Sequence, residues 1–119
     1  MAAHNELGKE GEKIAKDFLL KKGYKILETN YRYMKAEVDI IAQKGETLVA
    51  VEVKTRSSDY FEDPQDAVKP KKIKLLVSAI DYYVIQRNLD VEVRFDIIAI
   101  ILQKNNTKIE HLEAAFLYF

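Results

Sequence analysis

No cysteine occurs in the 119 residues, which excludes both a disulfide framework and a thiolate zinc site. That absence fits a reducing compartment. Long apolar runs are missing as well: the longest strictly apolar stretch is Ile97 to Leu102, far short of the ~20 residues that span a bilayer as a helix. Met1 to Glu12 contains no apolar segment of the kind a signal peptide uses. The expectation is a cytoplasmic, unexported chain with no membrane partner. Neither sign of charge is in excess, since 19 basic residues meet 19 acidic ones and leave a net charge of zero. A passive nucleic-acid binder usually carries a basic surplus, so the balance speaks against that class. It leaves room for an enzyme that sets an acidic metal site beside a local basic strip. Repeats, low-complexity tracts and Gly/Ser linkers are absent too, and residues 1–119 read as one domain. At 48% hydrophobic and 32% charged residues the chain is of globular composition. Its length suffices to bury about two-thirds of the unfolded surface.

The apolar pattern divides the chain into elements. Leu7, Gly11, Ile14, Ala15, Phe18 and Leu19 recur at helical spacing, with Asn5 placed as an N-cap and Gly23 as a left-handed C-terminal stop. Tyr24 to Tyr33 reads as a strand with polar interruptions. Glu37 to Gln43 and Thr47 to Thr55 are clearer strands joined by a turn at Lys44-Gly45. Ser57 to Lys69 is a polar loop with Pro64, acidic at Asp59, Glu62, Asp63 and Asp66. Pro70 suits the first turn of a second helix, whose apolar stripe is Ile73, Leu76, Val77, Ile80, Tyr83 and Val84. The β-branched run Val91 to Leu102 is a central strand. A turn at Asn105-Asn106 leads to an edge strand over Lys108 to Leu112. The apolar tail Ala114 to Phe119 would dock either on the core or on a second subunit. The predicted order is αβββαβ, with a final β. Strands apolar on both faces imply an α/β fold in which helices flank a mixed sheet.

The hairpin concentrates the chemistry. Alternation places Glu37, Asp39 and Ile41 on one side of their strand, and Leu48, Ala50, Glu52 and Lys54 on one side of theirs. With Lys44-Gly45 as the turn, Gln43 faces Glu46, Ile41 faces Leu48, Asp39 faces Ala50 and Glu37 faces Glu52. Opposed residues share a face, so three carboxylates and Lys54 converge beyond an apolar floor. Ionised acids held out of water cost several kcal/mol each unless paired or bound to a cation. A divalent ion resolves that conflict, and hard oxygen ligands suit magnesium or manganese better than zinc. Lys54 would stabilise charge on a phosphate or help deprotonate an attacking water, the parts that metal-assisted phosphodiester hydrolysis needs. Taken singly, the same residues read as an ordinary Lys54–Glu52 salt bridge with Asp39 solvated at a strand end.

Ala36-Glu37-Val38-Asp39-Ile40-Ile41-Ala42 followed by Val51-Glu52-Val53-Lys54-Thr55-Arg56 resembles the core of the PD-(D/E)xK nuclease superfamily. Gly8, Gly11-Glu12, Ala15, Phe18-Leu19, Gly23-Tyr24, Asn30-Tyr31-Arg32 and Arg94-Phe95-Asp96 narrow the likeness to the bacterial YraN family, which is similar to archaeal Holliday-junction resolvases. The resemblance implies a restriction-endonuclease-like fold. It also implies that Asp39 and Glu52 bind magnesium with the backbone carbonyl of Val53, that Lys54 is the catalytic lysine, and that Glu12 holds metal through water. It further implies cleavage of DNA, branched or otherwise structured, and a homodimer by analogy with resolvases. Ala36 and Glu62 stand where the family usually has glycine, and neither replaces a presumed ligand.

Arg56, Lys69, Lys71, Lys72 and Lys74 are the candidates for phosphate contact, which positions nucleic acid without reading its sequence; each lysine equally suits a solvated helix start. Arg32 and Arg94 either face the site or partner carboxylates. Asp96, inside an apolar strand, reads as a buried partner for Arg94 or a lysine. His4 and His111 carry no assigned role, and Tyr31, Tyr82 and Tyr83 read as core or interface residues. Two further functions stay open beside the nuclease: a nucleic-acid-binding module without hydrolysis, and a structural subunit joined to a partner through the apolar tail.

Overall fold

Leu19 and Tyr24 fix where the first helix ends. Gly23 adopts φ 94°, the Tyr24 N–H donates to the Leu19 carbonyl at 3.0 Å and the Gly23 N–H to the Leu20 carbonyl at 3.1 Å, the paired bonds of a glycine-terminated helix. The computed structural model describes residues 2–57 and 68–116, with side chains from Glu6 on in the first helix. Most of the predicted acidic loop (58–67) and the last residues of the tail (117–119) lie outside the described residues. The elements are α1 (Ala2–Lys21), β1 (Lys25–Tyr33), β2 (Ala36–Lys44), β3 (Thr47–Arg56), α2 (Pro70–Gln86), β4 (Glu92–Gln103) and β5 (Asn106–Leu112). Helix α1 starts before Asn5, which therefore lies inside the helix and not at its cap. Helix α2 begins on Pro70 and ends as α1 does, with Asn88 at φ 52° in the glycine position. The Leu89 N–H then reaches the Val84 carbonyl at 3.0 Å.

The five strands lie in the order β1-β2-β3-β4-β5. Neighbours are antiparallel except β3 and β4, which run parallel and are joined through α2, since parallel strands need a long crossover. The fold is the expected mixed sheet flanked by helices, in the order αβββαββ. Two turns differ in position from the sequence reading. The β2–β3 turn is Gly45-Glu46, with Lys44 opposite Thr47, because Gly45 takes φ 60° at the first turn position, where a primed hairpin turn calls for glycine. The last turn is Lys104-Asn105, which brings Asn106 into β5 opposite Gln103.

Both sheet faces are buried. On one, Ala15 and Leu19 of α1 pack with Ile40, Ala42, Val49, Val51, Ile98 and Ile100. On the other, Leu76, Ala79, Ile80 and Tyr83 of α2 pack with Val38, Ile41, Leu48, Ala50, Phe95 and Ile97. Tyr31 meets Tyr83 edge-on at 5.2 Å, a core contact. Residues 114–116 of the tail dock on the molecule's own core: the Ala115 N–H donates to the Phe95 carbonyl at 2.8 Å, and Phe116 stacks on Phe95 at 5.4 Å. None of the described helices is long and apolar enough to cross a membrane.

Gly11 sets the distance between α1 and the sheet. A Cβ built there would lie 1.9 Å from Thr55 Oγ1 and 2.9 Å from Thr55 Cβ, so the helix rests on β3 at a point where no side chain fits. Among the described residues two acids are buried, Asp96 at 0% exposure and Glu52 at 4%. Asp96 is fully served. Arg94 reaches it through Nε and Nη at 2.9 and 2.8 Å, and the Ala114 N–H donates to it at 3.0 Å. His111 Nε2 lies 2.7 Å away. The Lys22 ammonium sits 2.8 Å from His111 Nδ1, and an ammonium only donates, so Nε2 carries the proton that points at Asp96. Burial by itself would raise the Asp96 carboxyl, but the bonds from His111, Arg94 and the Ala114 N–H together hold it below the usual carboxylate range. Arg94 also donates to the Tyr24 hydroxyl at 2.6 Å.

Two stability effects follow. Gly11→Ala should cost about 1–3 kcal/mol through overpacking, measured by urea unfolding, and Thr55→Ala should recover part of that loss. Asp96→Ala should cost about 3–5 kcal/mol, since it strands the Arg94 cation; a loss under 1 kcal/mol would contradict the account.

Candidate functional site

β2 and β3 part company before β2 reaches its beginning. Their ladder stops at Ile40–Val51. Beyond that pair β2 stays on β1 as far as Ala36–Tyr33, while β3 stays on β4 as far as Arg56–Ile101. A notch opens between them with Asp39 at its apex. Side-chain alternation fails at the same place: Val38 belongs to the α2-side core and Ile40 to the α1-side core, although residues two apart on a regular strand share a face. Across β1, Asn30 takes φ 53°. The Asp39 carboxylate spans the gap, accepting the Val53 N–H through Oδ2 at 2.8 Å. It replaces the β2 carbonyl that a continued ladder would supply.

The shorter ladder corrects the expected register. The pairs shift by two residues, so Ala50 faces Ile41 and not Asp39, and Glu37 does not oppose Glu52. Glu37 instead pairs with Arg32 of β1, Nε to Oε2 at 3.3 Å, and both are well exposed. Glu52 is buried on β3. Its Oε2 pairs with Lys54 Nζ at 3.5 Å and with Lys72 Nζ of α2, while Oε1 is buried without a hydrogen-bond partner among the described residues. Asp39, Glu52, Val53, Lys54 and Arg56 line one cleft of about 290 Å³ with Leu7, Gly8 and Glu12 of α1. Glu12 is there because Gly11 seats the helix on Thr55.

On the α2 side Asp39 also borders a second cleft, of about 420 Å³, lined by Lys35, Glu37, Lys69, Lys71 and Lys72. Of the predicted phosphate contacts, Lys74 is exposed and lies outside both linings. Lys72 is held by Glu52 and so belongs to the acid site as well as to the basic strip. That pairing escaped the sequence reading, because only the packing of α2 on the sheet brings residues 20 apart into contact. Lys35 escaped it too, as a turn residue with no pattern around it. Arg94 and Arg32 are partners of carboxylates, and His111 is tied to Asp96.

Electrostatics sets Asp39 apart. Burial pushes its carboxyl up to about 7, the Glu52 charge and to a smaller degree Glu12 add to the rise, and the Val53 N–H and Lys72 oppose it. An acid in this state is short of positive charge. The residues fit a hard divalent ion on two grounds: Glu52 Oε1 is a buried acceptor with no partner among the described residues, and Asp39 in the same cleft resists ionisation. Among the described residues no three His, Asp or Glu side chains cluster closely enough to cage an ion unaided. An ion held here would therefore need water or a bound phosphate to complete its shell.

A family model described as "Uncharacterised protein family UPF0102" matches residues 11–100. Similar chains include a UPF0102 protein of Christiangramia forsetii, 64% identical over 119 residues and covering the whole of both chains. One from Flavobacterium psychrophilum is 60% identical over the same span, again covering both chains completely. A third, from Parabacteroides distasonis, is 47% identical over 116 residues, which is 98% of this chain and 96% of that one.

The raised Asp39 carboxyl has a thermodynamic consequence. Between its unfolded value, 3.8, and its folded value of about 7, the folded state binds the extra proton. Its stabilisation is therefore complete below pH 4 and is lost as pH rises through 7. In metal-free protein, urea unfolding should show stability falling across this window by up to about 1.4 kcal/mol per pH unit. Asp39→Asn should remove that slope, and a slope unchanged in the variant would refute the assignment.

Proposed function

The chain belongs to Uncharacterised protein family UPF0102, and from the cleft it carries we propose that it is a magnesium- or manganese-dependent endonuclease hydrolysing phosphodiester bonds of DNA. The observation that carries this reading is Oε1 of buried Glu52, without a partner among the described residues, in the same cleft as Asp39 and Lys54. The likeness of Ala36–Ala42 and Val51–Arg56 to the PD-(D/E)xK core supports it. So does the further likeness to Holliday-junction resolvases, which favours branched DNA as substrate and a homodimer as the acting form.

Asp39 and Glu52 would hold the cation together with the Val53 carbonyl, and Glu12 of α1, which lines the same cleft, would support it through water. An ion bound there would supply polarisation of a phosphate and a more acidic attacking water. Lys54, fixed beside Glu52, places an ammonium where negative charge grows on the phosphate oxygens. Arg56 on the same cleft wall, with Lys69 and Lys71 at the neighbouring one, positions the phosphate backbone on either side of the cut bond. Parting of β2 from β3 gives the phosphate its way in, since a continuous ladder would close the sheet over Val53.

Binding without hydrolysis is a second reading with one observation in its favour: Lys54 and Lys72 already neutralise Glu52 Oε2. The two readings diverge in one experiment on labelled linear, flapped and four-way-junction DNA with magnesium or manganese. The nuclease reading expects products whose rate of formation falls at least ~10²-fold in Lys54→Ala and Asp39→Asn, with folding checked by circular dichroism. Wild-type protein that binds these DNAs in a salt-sensitive manner yet yields no product would establish the second reading in its place.

A further inference from the structure

We infer that Lys72 is an exchangeable counter-ion of the acid site: it occupies Glu52 until a divalent cation binds, and then moves to the lysine-lined cleft to take a phosphate. This rests on the metal-dependent reading above.

Glu52 is served lopsidedly. Two ammonium groups, from Lys54 and Lys72, crowd its Oε2, and its buried Oε1 has no partner among the described residues. The two lysines are not equivalent. Lys54 stands two residues from Glu52 on the same strand, locked by the β4 ladder from Thr47 to Arg56, and its side chain is 24% exposed. Lys72 arrives from the first turn of α2 and is 41% exposed. It also lines the cleft that holds Lys69, Lys71 and Asp39, so its flexible four-carbon stem reaches two environments from one backbone position.

Charge determines which environment it takes. Without a metal, Glu52 is the buried anion that Lys72 can pair with, and leaving either group alone would be costly. A divalent ion between Asp39 and Glu52 adds two positive charges beside two ammonium groups, and Lys72 is then in surplus. Nothing on its own helix retains it, since the first turn of α2 contains no acid and Lys71 precedes it, and a helix N-terminus repels cations. The anion that suits the released ammonium, next to Lys69 and Lys71, is a phosphate. Metal loading and phosphate capture are thereby linked through one side chain: the basic cleft reaches full charge only once the acid site is filled.

The test measures manganese binding to the whole chain by electron paramagnetic resonance of free Mn²⁺, and then thymidine 5′-monophosphate binding to the manganese-loaded protein by calorimetry. Lys72→Met, which keeps the apolar stem, should bind manganese more tightly, on the order of tenfold from removal of one nearby charge, and should bind the nucleotide more weakly. Lys72→Arg should stay near wild type in manganese affinity and guards against a folding artefact. Nζ resonances of selectively ¹⁵N-labelled lysine should show the Lys72 ammonium protected in metal-free protein and exposed once magnesium is added. Manganese affinity that is unchanged or weaker in Lys72→Met, while Glu52→Gln abolishes it, would overturn the exchange and leave the metal site standing. Absence of manganese binding in the wild type would overturn the metal reading and the exchange with it.

Discussion

One hydrogen bond governs the architecture of the cleft: the Val53 N–H to the Asp39 carboxylate. Antiparallel strands ordinarily continue until a turn or an edge ends them, yet β2 and β3 stop pairing at Ile40 and Val51 while each stays anchored to its outer neighbour. An acid side chain then occupies the place of a backbone acceptor, and a half-buried amide is satisfied without closing the sheet. The carboxylate is thereby fixed in position, half-buried between two clefts. Burial and the Glu52 charge make its proton hard to remove, against the opposing pull of the Val53 N–H.

The two buried acids show how differently one fold treats a carboxylate. Asp96 collects an arginine, a histidine and a backbone amide, and these tie β4, β5 and the start of the tail together. It is a completed network, and completed networks rigidify. Among the described residues, Glu52 has all its cations on one oxygen and nothing on the other. Burial of an incomplete network destabilises a protein unless a ligand finishes it, and the incomplete one lies where the sheet opens. The contrast separates, on physical grounds, an acid whose bonds are complete from one with a site still to fill.

Much of this was legible in the chain itself. Helix periodicity, Pro70 and Gly23 delimited the helices, and apolar runs on both faces required a sheet covered on both sides. The hairpin arithmetic tolerated a turn misplaced by one residue because this shifts the pairs by two, an even number, and side-chain facing has period two. Asp39, Glu52 and Lys54 therefore still come to one cleft. The break between Val38 and Ile40 was not legible, since both residues are apolar and buried and the pattern looks unbroken; Glu37 was misassigned for that reason. Lys72–Glu52 and His111–Asp96 were not legible either, because each joins elements whose separation is fixed only by tertiary packing.

Helix α1 has a seated section and a free one, and the boundary falls within a single turn. At Gly11 a methyl group would strike Thr55, whereas at Gly8 no atom of the described residues lies within 4 Å of a would-be Cβ, although Gly8 borders the cleft of the two acids. Position 8 is thus a ready-made vantage point: a spin label or fluorophore attached there would overlook the acids from a fixed helix without disturbing its seat on the sheet.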